Sequence, residues 1–152
     1  MLKPLLAPLL LILATSRLTA QSTVSGVRDL GFGAAIRGVQ TSVSPNDPGK
    51  SGRFYIRHAL SRQVRLQFTL PTQLARVSGG GSLPISFQTT SAVARGTATN
   101  SLPVTFNPNT PITFTLTTSA DFFVNLGGRV SPAMGQATGS YTGTVVLTCT
   151  FF

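Results

Sequence analysis

Apolar and polar residues alternate in short runs along most of this chain. In Val64-Arg65-Leu66-Gln67-Phe68-Thr69-Leu70 every second position is apolar, so Val64, Leu66, Phe68 and Leu70 share one face and Arg65, Gln67 and Thr69 the other. A side-chain period of two is that of a β-strand with one buried face. Ile112-Thr113-Phe114-Thr115-Leu116 follows the same rule. So does Leu102-Pro103-Val104-Thr105-Phe106, whose proline confines it to a sheet edge or a strand start. Shorter apolar runs at 54–56, 83–87 and 122–126 predict further strands. The chain closes on a strand-like stretch, 141–152, in which Val145, Leu147, Cys149 and Phe151 form one face.

Turn-forming clusters separate these runs: Ser44-Pro45-Asn46-Asp47-Pro48-Gly49, Gly79-Gly80-Gly81, Asn107-Pro108-Asn109-Thr110-Pro111 and Gly127-Gly128. No stretch past residue 20 shows a helical apolar period bounded by caps. The pattern predicts an all-β fold, an antiparallel β-sandwich of about seven or more strands, in one domain spanning 21–152. Thr and Ser fill many alternate positions, which suits strand faces that meet water at low charge density.

Residues 1–20, MLKPLLAPLLLILATSRLTA, depart from the pattern. Lys3 supplies a positive start, Leu5 to Ala14 an apolar centre, and Leu18-Thr19-Ala20 a cleavage site, the three parts of a secretory signal peptide. The apolar run is shorter than the ~20 residues a membrane-spanning helix needs, and no later stretch qualifies. The expectation is therefore an exported protein of the periplasm, cell surface or medium.

Composition then narrows the chemistry. Among 152 residues there are 12 Lys and Arg against 3 Asp and no Glu, a net charge of +9, with His58 and Cys149 the sole residues of their types. General acid/base catalysis usually draws on His or paired carboxylates, and a metal site on several converging ligands. With neither set present, the composition predicts a non-catalytic protein without cofactor or metal. A lone Cys149 excludes an intramolecular disulfide and fits a small buried apolar side chain better than a reactive thiol. A Ser/His/Asp arrangement would need His58 with Asp29, Asp47 or Asp121, but no Gly-x-Ser-x-Gly elbow is present.

Several segments in order carry a resemblance. They are Asp29-Leu30-Gly31-Phe32-Gly33, Val43-Ser44-Pro45 leading into Gly52-Arg53-Phe54-Tyr55-Ile56, and Phe123-Val124-Asn125-Leu126-Gly127-Gly128 followed by 135–143 and the final strand. Together these resemble the exported bacterial family known as domain of unknown function 4402, and the closing Gly139-Ser140-Tyr141-Thr142-Gly143 is also similar to spore coat U-type and chaperone/usher pilin-type domains. The resemblance implies an exported immunoglobulin-like sandwich with no catalytic residues. Independently of it, Gly139 suits a turn conformation closed to other residues, and Tyr141 can bury its ring while its hydroxyl reaches a backbone group.

Two sets of residues are candidates for function. The face Val145, Leu147, Cys149, Phe151 of the final strand suits strand pairing, either as an ordinary core strand or as a strand offered to a periplasmic chaperone and then to a neighbouring subunit. Its register speaks against a membrane-barrel insertion signal, because the terminal Phe152 falls on the more polar face with Thr148 and Thr150. A donor extension is not visible at 21–29, where Val24 and Val27 fall on opposite faces. The second set, Arg53, Arg57, Arg62 and Arg65, concentrates charge in one segment. It suits either a solvated surface or an anion site for an acidic envelope polysaccharide, with no nucleic acid expected.

Overall fold

The computed structural model describes residues 22–57, 62–96, 102–116 and 121–152, Arg62 and Asp121 in their backbone alone. The expected leader at 1–20 and His58 lie outside the described residues. The described chain is all-β, with no helix, so none of its helices is long and apolar enough to cross a membrane. In order the strands are β1 (Thr23–Arg28), β2 (Thr41–Val43), β3 (Gly52–Arg57), β4 (Arg62–Thr69), β5 (Gln73–Arg76), β6 (Ser82–Ser86), β7 (Ala92–Gly96), β8 (Val104–Phe106), β9 (Ile112–Leu116), β10 (Asp121–Leu126), β11 (Gly128–Val130), β12 (Tyr141–Thr142) and β13 (Val146–Phe151).

They form three antiparallel sheets. The first has the order β1-β3-β10-β7-β8, the second β13-β4-β9, and the third, smaller in its core, β12-β5-β6-β11-β2. The first two make an antiparallel sandwich around Ile56, Val64, Leu66, Leu116, Phe122 and Val124, each at most 1% exposed. Burial of such a side chain contributes about 1.5–3 kcal/mol, so this layer dominates stability. Ring contacts set which strand lies over which: Phe54 of β3 meets Phe68 of β4 at 5.6 Å, and Phe122 of β10 meets Phe114 of β9 at 5.4 Å. With β3 over β4 and β10 over β9, the edge strand β1 lies over the edge strand β13.

The predicted alternation holds on β4, where Val64 and Leu66 are buried while Arg65 and Gln67 are exposed. The run 102–106 forms β8, an edge strand that starts just after Pro103. Other features differ from the sequence pattern. Gly127 and Gly128 do not make a turn: β10 continues into β11 through Gly127 alone and changes sheet there. A Cβ on Gly127 would lie 2.3 Å from Val43 O and 2.7 Å from Pro45 N, and its N–H donates to Ser91 O at 2.7 Å. Only glycine fits such a close backbone approach.

Nor is 141–152 one strand. Tyr141–Thr142 pair with β5 in the third sheet, and β13 starts at Val146, after a break at 143–145. Gly143 sits at that break, where a Cβ would lie 2.6 Å from Leu74 Cδ2. The strands β1, β2, β5, β7 and β11 have no counterpart among the predicted runs. In β7 the alternation disappears because Ala92, Val93 and Ala94 are all buried, both faces being covered.

Candidate functional site

Where β1 lies over β13, the sandwich is open. Each is the outermost strand of its sheet among the described residues. On β1, Val24 is the register partner of the fully buried Ile56 and shares its inward face, yet it is 41% exposed. Gly26, partner of Phe54, also faces inward, and a Cβ there would meet nothing within 4 Å. On β13 the parity matches the prediction: Leu147, Cys149 and Phe151 pair with Phe68, Leu66 and Val64 and turn inward onto the core, with Val145 just before the strand. All four remain only half-buried. An inward row that stays partly exposed on both edges means that no side chains of the described residues close the space between them.

The gap continues into a cleft of about 780 Å³, walled by Phe54, Leu74, Leu83, Val130, Tyr141 and Val145. That volume is in the range of sites that take a small molecule or a few side chains. A β-bulge between Gly26 and Arg28 ends β1, and Arg28 fastens this end to the 44–51 turn. Its Nε donates to Ser51 O at 2.7 Å, one Nη to Ser51 Oγ at 2.8 Å, and the other to Pro48 O. Asp47 shapes that turn by accepting from the N–H groups of Gly49 and Lys50 at 2.8 and 3.0 Å. These two bonds hold its carboxyl below the usual value of 3.8.

Tyr141 closes the far wall as its sequence context predicts. Its ring packs on the Leu83, Ile85, Val130 cluster. Its hydroxyl donates to Ala137 O and accepts from Gln136 Nε2, each at 2.6 Å. Gly139 adopts φ of 143°, and a Cβ there would lie 2.9 Å from Arg76 Nε.

The backbone of β13 also has a direction. Phe152 N–H donates to Gln63 O of β4 at 3.0 Å. Hydrogen-bonding groups alternate sides along an antiparallel strand. Counting back from Phe152, the N–H and C=O groups of Leu147 and Cys149 point toward the open edge. Cys149 is a free thiol pushed up to about 11 by burial, well above its ordinary 9.0.

The four predicted arginines do not share a surface. Arg53 and Arg57 lie on the outer face of the first sheet, whereas Arg65 is exposed on the outer face of the second, on the opposite side of the sandwich. Of Arg62 only the backbone is described, opposite Leu116 in β9. The chain passes from one sheet to the other between β3 and β4, so neighbours in sequence part in space. What joins Arg53 and Arg57 is a set the sequence pattern did not single out. Phe123 of β10 has Tyr55 on one side and Arg95 on the other as register partners. The Tyr55 and Phe123 rings are 5.1 Å apart, and the Arg53 guanidinium stands 4.0 Å over Phe123. Arg95 donates to Asn46 Oδ1 at 2.6 Å. Beside them Asn125, register partner of Arg53, is 9% exposed, and its Oδ1 and the Arg53 Nε are shielded without a hydrogen bond among the described residues.

Among the described residues no three His, Cys, Asp or Glu converge as metal ligands. Among the described residues, the fold and the open edge define an antiparallel β-sandwich with an unfilled side between β1 and β13. Neither the known family models nor the curated proteins contain a match to the chain.

Proposed function

We propose that this chain is an exported, non-catalytic structural or adhesin-like protein of a bacterial surface or periplasm that works by accepting a β-strand along the edges β1 and β13. The observation that supports this reading is the half-exposed inward row on both edges. Val24 and Gly26 on one side, with Leu147 and Cys149 on the other, flank a cleft with apolar walls. An added strand would meet the outward N–H and C=O groups of Leu147 and Cys149 and place alternate side chains in the cleft. An exposed edge of this kind invites pairing unless something covers it. The partner is a periplasmic chaperone or a neighbouring subunit, in keeping with the leader at 1–20 and with the resemblance to pilin-type domains.

The test is addition of a synthetic peptide with alternating Val and Thr, followed by hydrogen exchange. Slowed exchange at Leu147 and Cys149 is expected, and Gly26→Leu, which fills the gap from inside, should abolish it while leaving the protein folded. Unchanged exchange at β13, or equal slowing in Gly26→Leu, would count against strand acceptance.

A further inference from the structure

The outer face of the first sheet is the other surface with organised chemistry, and the edge-strand reading makes no use of it. Strand register brings three arginines there from two separate segments. Arg53 and Arg57 are four residues apart on β3, about 13 Å along the strand, and Arg95, two strands over and level with Tyr55 between them, is about 12 Å from either. Two of them are held. Arg53 rests on Phe123, and Arg95 is tied by one nitrogen to Asn46. A guanidinium carries five N–H donors, so each retains donors for a ligand. Around them Thr23, Ser25 and Thr105 offer hydroxyls on the same face. Asp121 is the register partner of Arg57 and is the single carboxylate residue at a register position on this face.

We propose that this face binds an acidic polysaccharide through Arg53, Arg57 and Arg95. Past the expected leader the chain keeps ten basic residues against three acidic, so a second copy offers little complementary charge and an anionic partner suits this face. Guanidinium pairs readily with carboxylate in two parallel hydrogen bonds. Arginine positions that the register sets about 12 to 13 Å apart on one sheet face suit an extended polymer whose carboxylates recur at intervals, with hydroxyls between them to meet Thr and Ser. Single-stranded nucleic acid fits less well. It is held largely by bases stacking on open aromatic rings, and here Arg53 already covers Phe123, which in turn leans on Tyr55.

Fluorescence anisotropy with a labelled oligogalacturonate at low salt tests the proposal. Wild-type protein is expected to bind, and Arg57→Gln with Arg95→Gln should weaken binding by about tenfold or more. The charge-matched pair Arg37→Gln with Arg65→Gln should change it by less than about twofold, because Arg37 lines the cleft and Arg65 lies on the outer face of the second sheet. Both pairs are exposed positions, and circular dichroism checks that each variant folds. Arg57→Gln alone should give an intermediate loss. The proposal is overturned if wild type does not bind, if the two double variants lose affinity equally, if the methyl-esterified neutral chain binds as well, or if an oligothymidylate of equal charge binds more tightly. None of these results depends on whether β13 accepts a strand.

Discussion

Val24 and Ile56 are register partners on the inward face of the first sheet, yet Val24 is 41% exposed and Ile56 is wholly buried. One rung of a ladder thus spans the change from closed core to open edge. Ile56→Ala should cost about 2–5 kcal/mol, the usual loss for a large core side chain. Val24→Ala should cost about 1 kcal/mol or less, because two-fifths of its surface stays in water. Chemical denaturation of the two variants measures the contrast, and equal losses would mean that the edge is covered in solution.

Gly127 is the second test. Its Cβ would strike the backbone at Val43 and Pro45, which cannot rotate aside as a side chain can. Gly127→Ala should destabilise by about 3 kcal/mol or more. Gly31→Ala, where a Cβ meets nothing within 4 Å, should be close to neutral. A midpoint for Gly127→Ala within error of wild type would remove the glycine corner from the account of the fold.

Tyr141→Phe keeps the ring on Leu83, Ile85 and Val130 but removes the hydroxyl between Ala137 O and Gln136. The expected loss is about 1–2 kcal/mol, since a part-buried carbonyl loses its donor. Thermal unfolding at neutral pH measures it, and no loss would mean that solvent replaces the hydroxyl fully.

Cys149 gives a pH prediction. Its thiol is pushed up to about 11 in the folded chain, from an ordinary 9.0, by burial. Below pH 9 it is neutral in both states and its contribution is constant. Between 9 and 11 the unfolded chain releases the proton first, so stability falls as pH rises. Cys149→Ala should flatten this part of the stability profile. Thiol labelling of the folded wild type should stay slow until the pH approaches 11, and fast labelling at pH 8 would show the thiol to be more exposed than its place on β13 allows.

The sandwich was largely legible in the chain because its long strands bury one face. Val64 and Leu66 against Arg65 and Gln67 is a period of two that no helix reproduces, and the inward row of β13 follows by the same parity. The hydroxyl contact of Tyr141 was legible because a buried ring next to Gly139 has few other ways to satisfy its oxygen. Strand β7 was hidden, since Ala92, Val93 and Ala94 are covered on both faces and lose the alternation. The arginine face was hidden for a different reason. Proximity along the chain suggested 53–65, but the crossing between β3 and β4 sends Arg65 to the far side, while Arg95 arrives through pairing with β10. Nothing in a linear pattern marks a partner two strands away.

The corner at Gly127 has a consequence for how the protein comes apart. Because β10 becomes β11 across one residue, and β4 and β12 are likewise joined to β5 and β13 by only three, the third sheet shares its chain with both layers of the sandwich. It has no hinge of its own on which to swing loose. Its small apolar cluster can melt only by dragging on the main core, so the two layers and the third sheet should lose structure in a single cooperative step, with one calorimetric peak rather than two.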